Sequence, residues 1–432
     1  MNGQVDARAP APYRGFATAI VSLVVVSAIV VAGCDDTVLR PNGPATRLAF
    51  TVQPLNVSAN HPMTPAIEVL VQDDAGNPAQ DFVGRVTVSI GDNAAGGILS
   101  GTTTQTLFHG IGTFSDLTID RVGSGYTLVA VAPWLTTATS AAFNVACNTN
   151  CWTARAPMPT PLTASASAAV DGILYAIGGL TSAGGSTATV EAYDPRTNTW
   201  SRTAPLSIPR FSLAVGVVNG ILYAVGGAES GVAATGIVEA YDPITNTWTT
   251  KASMPTSRFG LGIGVANGRL YAIGGTDKNG LDTTVVEAYD PSTDTWSTQA
   301  PLPVARTSFG TAVADGVIYI IGGDVQGSPV GAMEAYDPAS NTWTTRAPMP
   351  TPRSGLGAAT VDGFIYAVGG SLNGVRSTVE VYDPMRNTWA TRAPLPTARV
   401  LLSVDVLDGI LYAVGGSSAG APFPGTNEAY LP

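Results

Sequence analysis

After residue 150 the chain alternates short apolar runs with clusters of Gly, Pro, Asn and Asp, and this alternation recurs with a long period. Six apolar runs end in Gly-Gly pairs beginning at Gly178, Gly226, Gly274, Gly322, Gly369 and Gly415. Six tryptophans follow the same rhythm, at Trp152, Trp200, Trp248, Trp296, Trp343 and Trp389. Successive members of both series are 48, 48, 48, 47 and 46 residues apart. A unit of that length built from short strands cannot bury its own apolar face and must stack on its neighbours. In one unit, Asn219-Gly220 predicts a hairpin turn and residues 221–225 a strand closed by Gly226-Gly227. Residues 238–241 predict a second strand, Asp242-Pro243 a turn, 247–249 a third strand, and 261–265 a run leading to the next turn. No stretch beyond residue 150 has helical periodicity. Four short antiparallel strands per unit, repeated radially, predict a β-propeller.

The two ends of this region carry partial units. Trp152 and residues 156–159 match the last strand of a unit, whereas Asn427, Glu428, Ala429 and Tyr430 match the third. Together they predict one shared blade, six blades in all, and a closed ring without an open strand edge.

The motif GG…VEAYDP…NTW, with Tyr193, Tyr241, Tyr289, Tyr336, Tyr382 and Tyr430 at its tyrosine position, resembles the Kelch family over residues 147–432. The resemblance implies a partner-binding face made of two loop sets, one after each second strand and one before each first strand. The former are the variable stretches 180–189, 228–237, 276–284, 324–331, 371–378 and 417–426. The latter carry Arg210, Arg258, Arg306, Arg353 and Arg399, with Leu162 at the sixth equivalent position. In Kelch propellers arginines near this position often take part in contacts, so the five are the candidate binding residues. A second reading stands beside it. Glu191, Glu239, Glu287, Glu334, Glu380 and Glu428 repeat at the same end of each blade, and Arg–Glu or Arg–carbonyl bonding between blades would explain the repetition without a ligand. The repeated tryptophans are read as packing between blades.

The front of the chain differs. Residues 16–33 are apolar or small, follow Arg8 and Arg14, and end in Val31-Ala32-Gly33-Cys34. That tetrad resembles the lipobox of bacterial lipoproteins, which implies a signal spanning 1–34 that is removed and a Cys34 that is acylated. An uncleaved signal anchor is the alternative, since the run is just long enough to span a bilayer. Either reading places the rest of the chain outside the cytoplasm, membrane-anchored, in the periplasm or at the cell surface. Residues 35–45, with Pro41 and Pro44, read as a linker. Residues 46–146 hold about seven alternating runs separated by turn clusters, which suggests a β-sandwich. The segment VLVQDDAGNPAQDF within it resembles bacterial immunoglobulin-like domains of the invasin type. The expected fold is therefore all-β: a six-bladed Kelch-type β-propeller preceded by an immunoglobulin-like β-sandwich. Removing Cys34 from the count of three cysteines leaves Cys147 and Cys151. Four residues apart in an extended strand they would be roughly 13 Å from each other, beyond disulfide reach. Alignment places them at the positions of Pro195 and Thr199, which flank a turn, and there a bridge is feasible.

Charge and composition narrow the chemistry. The chain carries 21 Lys and Arg against 31 Asp and Glu, without a basic run, so nucleic acid is not an expected partner. Copper-radical oxidases on this scaffold need imidazole ligands and a Tyr–Cys crosslink. The only histidines are His61 and His109, both ahead of the propeller, which argues against copper or zinc, and no cofactor is expected. The expected function is a binding protein that takes a protein or glycan partner at the cell surface. The alternative is an enzyme of the sialic-acid mutarotase type, in which arginines would hold a carboxylate while Glu or Asp moves a proton.

Overall fold

The computed structural model describes residues 43–93, 95–231, 234–419 and 423–432. The expected signal at 1–34, Cys34, and linker residues 35–42 lie outside them. The described residues form strands and turns, with no helix.

Six four-stranded antiparallel sheets make the propeller. Blade I consists of Ala166–Val170, Ile173–Ile177, Val190–Asp194 and Thr199–Arg202. Blades II to V begin at Ala214–Val218, Gly262–Ala266, Gly310–Ala314 and Gly357–Val361. Blade VI takes Ser403–Leu407, Ile410–Val414 and Asn427–Leu431 from the end of the chain and its outermost strand, Cys151–Arg155, from the other side of the ring. Trp152 pairs with Tyr430 and Arg155 with Asn427, so the two partial units zip together as their sequences predict. The six innermost strands each contact the next, and the last contacts the first.

Local chemistry explains the blade. Each first hairpin turns on Asp-Gly or Asn-Gly, for example Asp171-Gly172 and Asn219-Gly220, with positive φ at both residues. That is the type I′ turn whose twist matches a hairpin. Each second strand is buried over four consecutive residues, because blades cover both of its faces. Between blades, every repeated Trp donates its indole N–H to a backbone carbonyl, as from Trp200 to Ala156 at 2.8 Å and from Trp152 to Ala393 at 3.0 Å. The tryptophan is thus a blade-to-blade tie, although five of the six remain half-exposed. Five of the repeated Tyr donate to an Asn or Asp in the following turn, such as Asn198 or Asp294, and Tyr430 to Asn150 ahead of the closing strand; that side chain accepts a further bond from the adjacent blade.

Ahead of the propeller, Arg47–Val52, Ile67–Gln72 and Ile111–Phe114 form one sheet. Arg85–Ile90, Leu128–Val131, Ala138–Thr139 and Thr104–Thr106 form a second. Their alternate residues, including Leu48, Val69, Val86, Phe114 and Leu128, share a single core, as strict alternation predicts. Cys147 and Cys151 are disulfide-bonded with Cα atoms 5.7 Å apart, the chain turning back at Asn150, whose φ is 50°. Cys151 is buried against the core of this sandwich, so the bridge sits where the two folds meet. Hydrogen bonds join them directly, from Asn60 Nδ2 to Asn150 O, from Asn148 Nδ2 to Ser58 Oγ and from Arg121 Nη2 to Pro396 O.

Candidate functional site

The loop end of the propeller is built in two layers. The lower one holds the five arginines, and their side chains have no solvent exposure at all. Each guanidinium turns into its own blade. Arg258 donates to Glu287 at 2.8 Å and to the carbonyls of Gly274 and Val285 at 2.9 and 2.7 Å. Arg210 pairs with Glu239, Arg306 with Glu334, Arg353 with Glu380 and Arg399 with Glu428 in the same manner. The backbone of each arginine faces the other way. The Arg210 carbonyl accepts a bond from Gly179 N at 2.7 Å, and the Arg258 carbonyl from Gly227 N at 2.9 Å. Hence each arginine ties its own blade by the side chain and the preceding blade by the main chain. Both glycines of each pair have positive φ, and a Cβ on the first would meet the carbonyl at the arginine position, at 2.5 Å for Gly178 against Arg210 and at 2.6 Å for Gly415 against Leu162. The doublet is needed for this close approach.

Burial pulls the guanidinium pKa of Arg210, Arg258, Arg353 and Arg399 down, and the facing carboxylate opposes it. Burial likewise raises the Glu428 carboxyl, against the pull of Arg399. Such pairs are held by their hydrogen bonds, and none presents a charge to a ligand. The expectation that Arg210, Arg258, Arg306, Arg353 and Arg399 line a binding surface is therefore corrected: they are the floor beneath it. Blade I shows the same design without its cation. Leu162 fills the arginine position, and the buried Glu191 keeps the threonine bond that other blades also make, from Thr160 Oγ1 at 2.7 Å, with the exposed Arg202 Nε 3.9 Å from the same carboxylate.

The upper layer begins one residue later in each loop. Phe211, Phe259, Thr307, Ser354, Val400 and Thr163 pair with the first residues of the variable loops, Phe211 with Ala228 and Phe259 with Thr276 for example. Next come Ser212, Gly260, Ser308, Gly355, Leu401 and Ala164, all with φ between 49° and 63°. Their backbones form a closed ring: Ser212 N donates to Ala164 O, Gly260 N to Ser212 O, and so on until Ala164 N donates to Leu401 O, over 2.7–3.1 Å. This six-membered rosette frames a recess of about 120 Å³ at the mouth of the central channel. Phe211 and Phe259 stand side by side on its rim with ring centroids 6.5 Å apart, both half-buried, whereas the rim on blades IV and V is Thr307 and Ser354. The mouth is thus apolar on one side and hydroxylic on another.

Below the rosette the channel encloses a cavity of about 350 Å³ lined by the innermost strands. The one charged residue lining it is Asp405. It occupies a position that holds Ala168, Gly216, Gly264, Ala312 and Ala359 in the other blades, where the side chain points at the neighbouring sheet and little room exists. Its Oδ2 accepts from Ala169 N of blade I at 2.8 Å and its Oδ1 from Val406 N at 2.7 Å. Burial pushes the Asp405 carboxyl up to about 6, against the pull of those two N–H donors. Reading the repeat for its common residues missed Asp405, Phe211 and Phe259. The signal was the converse one, the column in which a single blade departs from the rest. Among the described residues no three of His, Cys, Asp and Glu come together as a metal site.

Comparison with known proteins agrees with this architecture. Residues 214–416 match the KLHDC2/KLHL20/DRC7 Kelch-repeats domain, and residues 161–207 match the Kelch motif. The solved structure of YjhT superposes with a TM-score of 0.56 at 19% identity, covering 63% of this chain and 95% of that one, a likeness of fold. No curated protein matches the chain. The sequence repeat, the six sheets and these matches agree that the carboxyl-side region of this chain is a Kelch-type β-propeller.

Proposed function

We propose that the chain is an extracytoplasmic, membrane-anchored binding protein that captures a protein or glycan partner on the loop face of its propeller. The supporting observation is the asymmetric mouth. Architectural positions repeat around the ring, whereas at the rim position Phe211 and Phe259 supply an aromatic platform on two blades only, beside a recess lined by Ser212, Ser308 and several leucines. Aromatic side chains set among adaptable polar groups are the usual anchors of recognition surfaces. The sandwich, read as an immunoglobulin-like module, acts as a spacer between the anchor and the propeller. The mutarotase-type alternative requires guanidinium groups free to hold a carboxylate, and these five are closed off by glutamates.

The test is binding of the purified chain to a glycan array and to a displayed peptide library. The variant Phe211→Ala/Phe259→Ala is expected to lose about 2 kcal/mol or more, roughly thirtyfold in affinity, for whichever class binds. Unchanged affinity in a variant that melts like the parent would remove the loop face from consideration.

A further inference from the structure

The sandwich has two dissimilar ends. At one, Asn60 and Arg121 meet the propeller. At the other, strand pairing gathers Arg47, Gln72, Ile111, Arg85, Thr106 and Thr136. This far end bears five exposed apolar side chains: Val83, Phe108, Ile111, Val131 and Trp134. Phe108 and Ile111 are bridged across a tight turn, and Val131 pairs with Thr87 on the strand that follows Val83. Trp134 is 99% exposed and Val83 89%. Apolar side chains gathered this way at one end of a domain mark an interaction surface.

Trp134 is also held in an unfavourable conformation. It sits in the turn from Ala132 to Leu135, after Pro133, with φ at 68°. A turn with proline second and positive φ third favours glycine there, and a bulky residue is an outlier. The indole is thus projected into solvent at a conformational cost, an arrangement that associates with binding.

The course of the chain indicates what covers this end. Gly43 N bonds to Asp73 Oδ2 and Thr46 N to Gln72 O, so the described chain begins here. The nine residues from Cys34 to Gly43 span at most about 30 Å when extended. They connect this end to the apolar stretch 16–33. We infer that Trp134, Phe108, Val83, Ile111 and Val131 dock on the lipid bilayer surface itself, a second membrane contact that fixes the sandwich upright and turns the propeller away from the bilayer. This rests on the proposed membrane anchorage. Tryptophan with phenylalanine and aliphatic side chains is the composition that partitions into the interfacial zone, and a single anchor gains from a second contact.

Trp134 is the only tryptophan outside the propeller repeats, so its emission is the difference between the full chain and its Trp134→Phe variant. In mixed phosphatidylcholine–phosphatidylglycerol vesicles that difference spectrum is expected to be blue-shifted, shielded from aqueous iodide, and quenched by lipids brominated on the acyl chains. The variant Val83→Ser/Phe108→Ser, with an unchanged melting curve, is expected to lose most of the bromolipid quenching. Vesicle-bound protein whose Trp134 stays open to iodide and untouched by bromolipid overturns the docking while leaving the anchor standing. Failure of the chain to sediment with vesicles overturns both. Shielding of Trp134 that tracks protein concentration and not lipid identifies a second copy as the occupant, and overturns the bilayer contact too.

Discussion

Arg258 and Phe259 are adjacent in the chain and lie at the same end of the same blade, yet they belong to layers of opposite character. The arginine layer recurs in five blades, is fully buried, and satisfies its charges internally. The rim layer changes from Phe to Thr, Ser and Val around the ring, and most of its members are only partly buried. Repetition marks what every blade needs in order to stand beside its neighbours. Variation marks where no such requirement acts, and where selection for a ligand is free to operate.

Removing one arginine is the strongest way to break that contrast. Arg258→Ala or Arg306→Ala leaves a buried glutamate unpaired and is expected to cost about 3–5 kcal/mol in urea unfolding. Phe259→Ala, on the half-buried rim, is expected to cost far less. An arginine variant that kept its stability but lost a ligand would reverse the assignment of the two layers.

The disulfide sharpens the comparison at the point of ring closure. Closing a five-residue loop is worth about 2 kcal/mol on chain-entropy grounds, so reduction, or Cys147→Ser/Cys151→Ser, is expected to lower the melting temperature by that equivalent. Equal melting with and without reductant would show that the strand pairing of Cys151–Arg155 with Asn427–Leu431 suffices alone.

Asp405 tests the same principle inside the channel, where one blade departs from the others. Its folded pKa, near 6, lies above the ordinary value of 3.8, so the folded form holds the proton more tightly than the unfolded chain. Between about pH 4 and pH 6 folding takes up a proton, and stability falls as pH rises through that window. Asp405 is only partly buried, so solvent screening reduces the expected loss to about 1–2 kcal/mol. Asp405→Asn is expected to flatten this slope in melts run from pH 4 to pH 8. An unaltered slope would assign the pH dependence to other groups.

The smallest expected effect concerns a repeated outer position. Trp296→Phe keeps an aromatic ring beside Tyr289 and removes the indole N–H bond to Ala252 O, worth about 1 kcal/mol. Its denaturant midpoint should drop slightly without change in slope. A larger loss would mean that the outer strands carry more of the blade interface than their half-exposure indicates.

Much of this molecule was legible beforehand because a repeat states its own rules. Asp-Gly and Asn-Gly gave the hairpins through their tolerance of positive φ, and Trp152 with Tyr430 gave the closing strand pair. The cysteines illustrate the limit. Spacing in an extended strand forbade the bridge, and only the alignment to Pro195 and Thr199 suggested a turn that permits it. The arginines went astray for a physical reason. Two readings agreed on which end of the blade they occupy, but exposure depends on where a long side chain turns, and that is set by a glutamate about 29 residues downstream.

The amino-acid order determined the number of strands in each blade, the six-fold count and the shared blade, because turn chemistry and apolar alternation act locally and recur. Tertiary structure decided which repeated charges are hidden, which single-blade substitutions face the channel, and how one end of the sandwich comes to collect five apolar side chains. Those outcomes depend on contacts between residues far apart in the chain, which a local pattern does not encode.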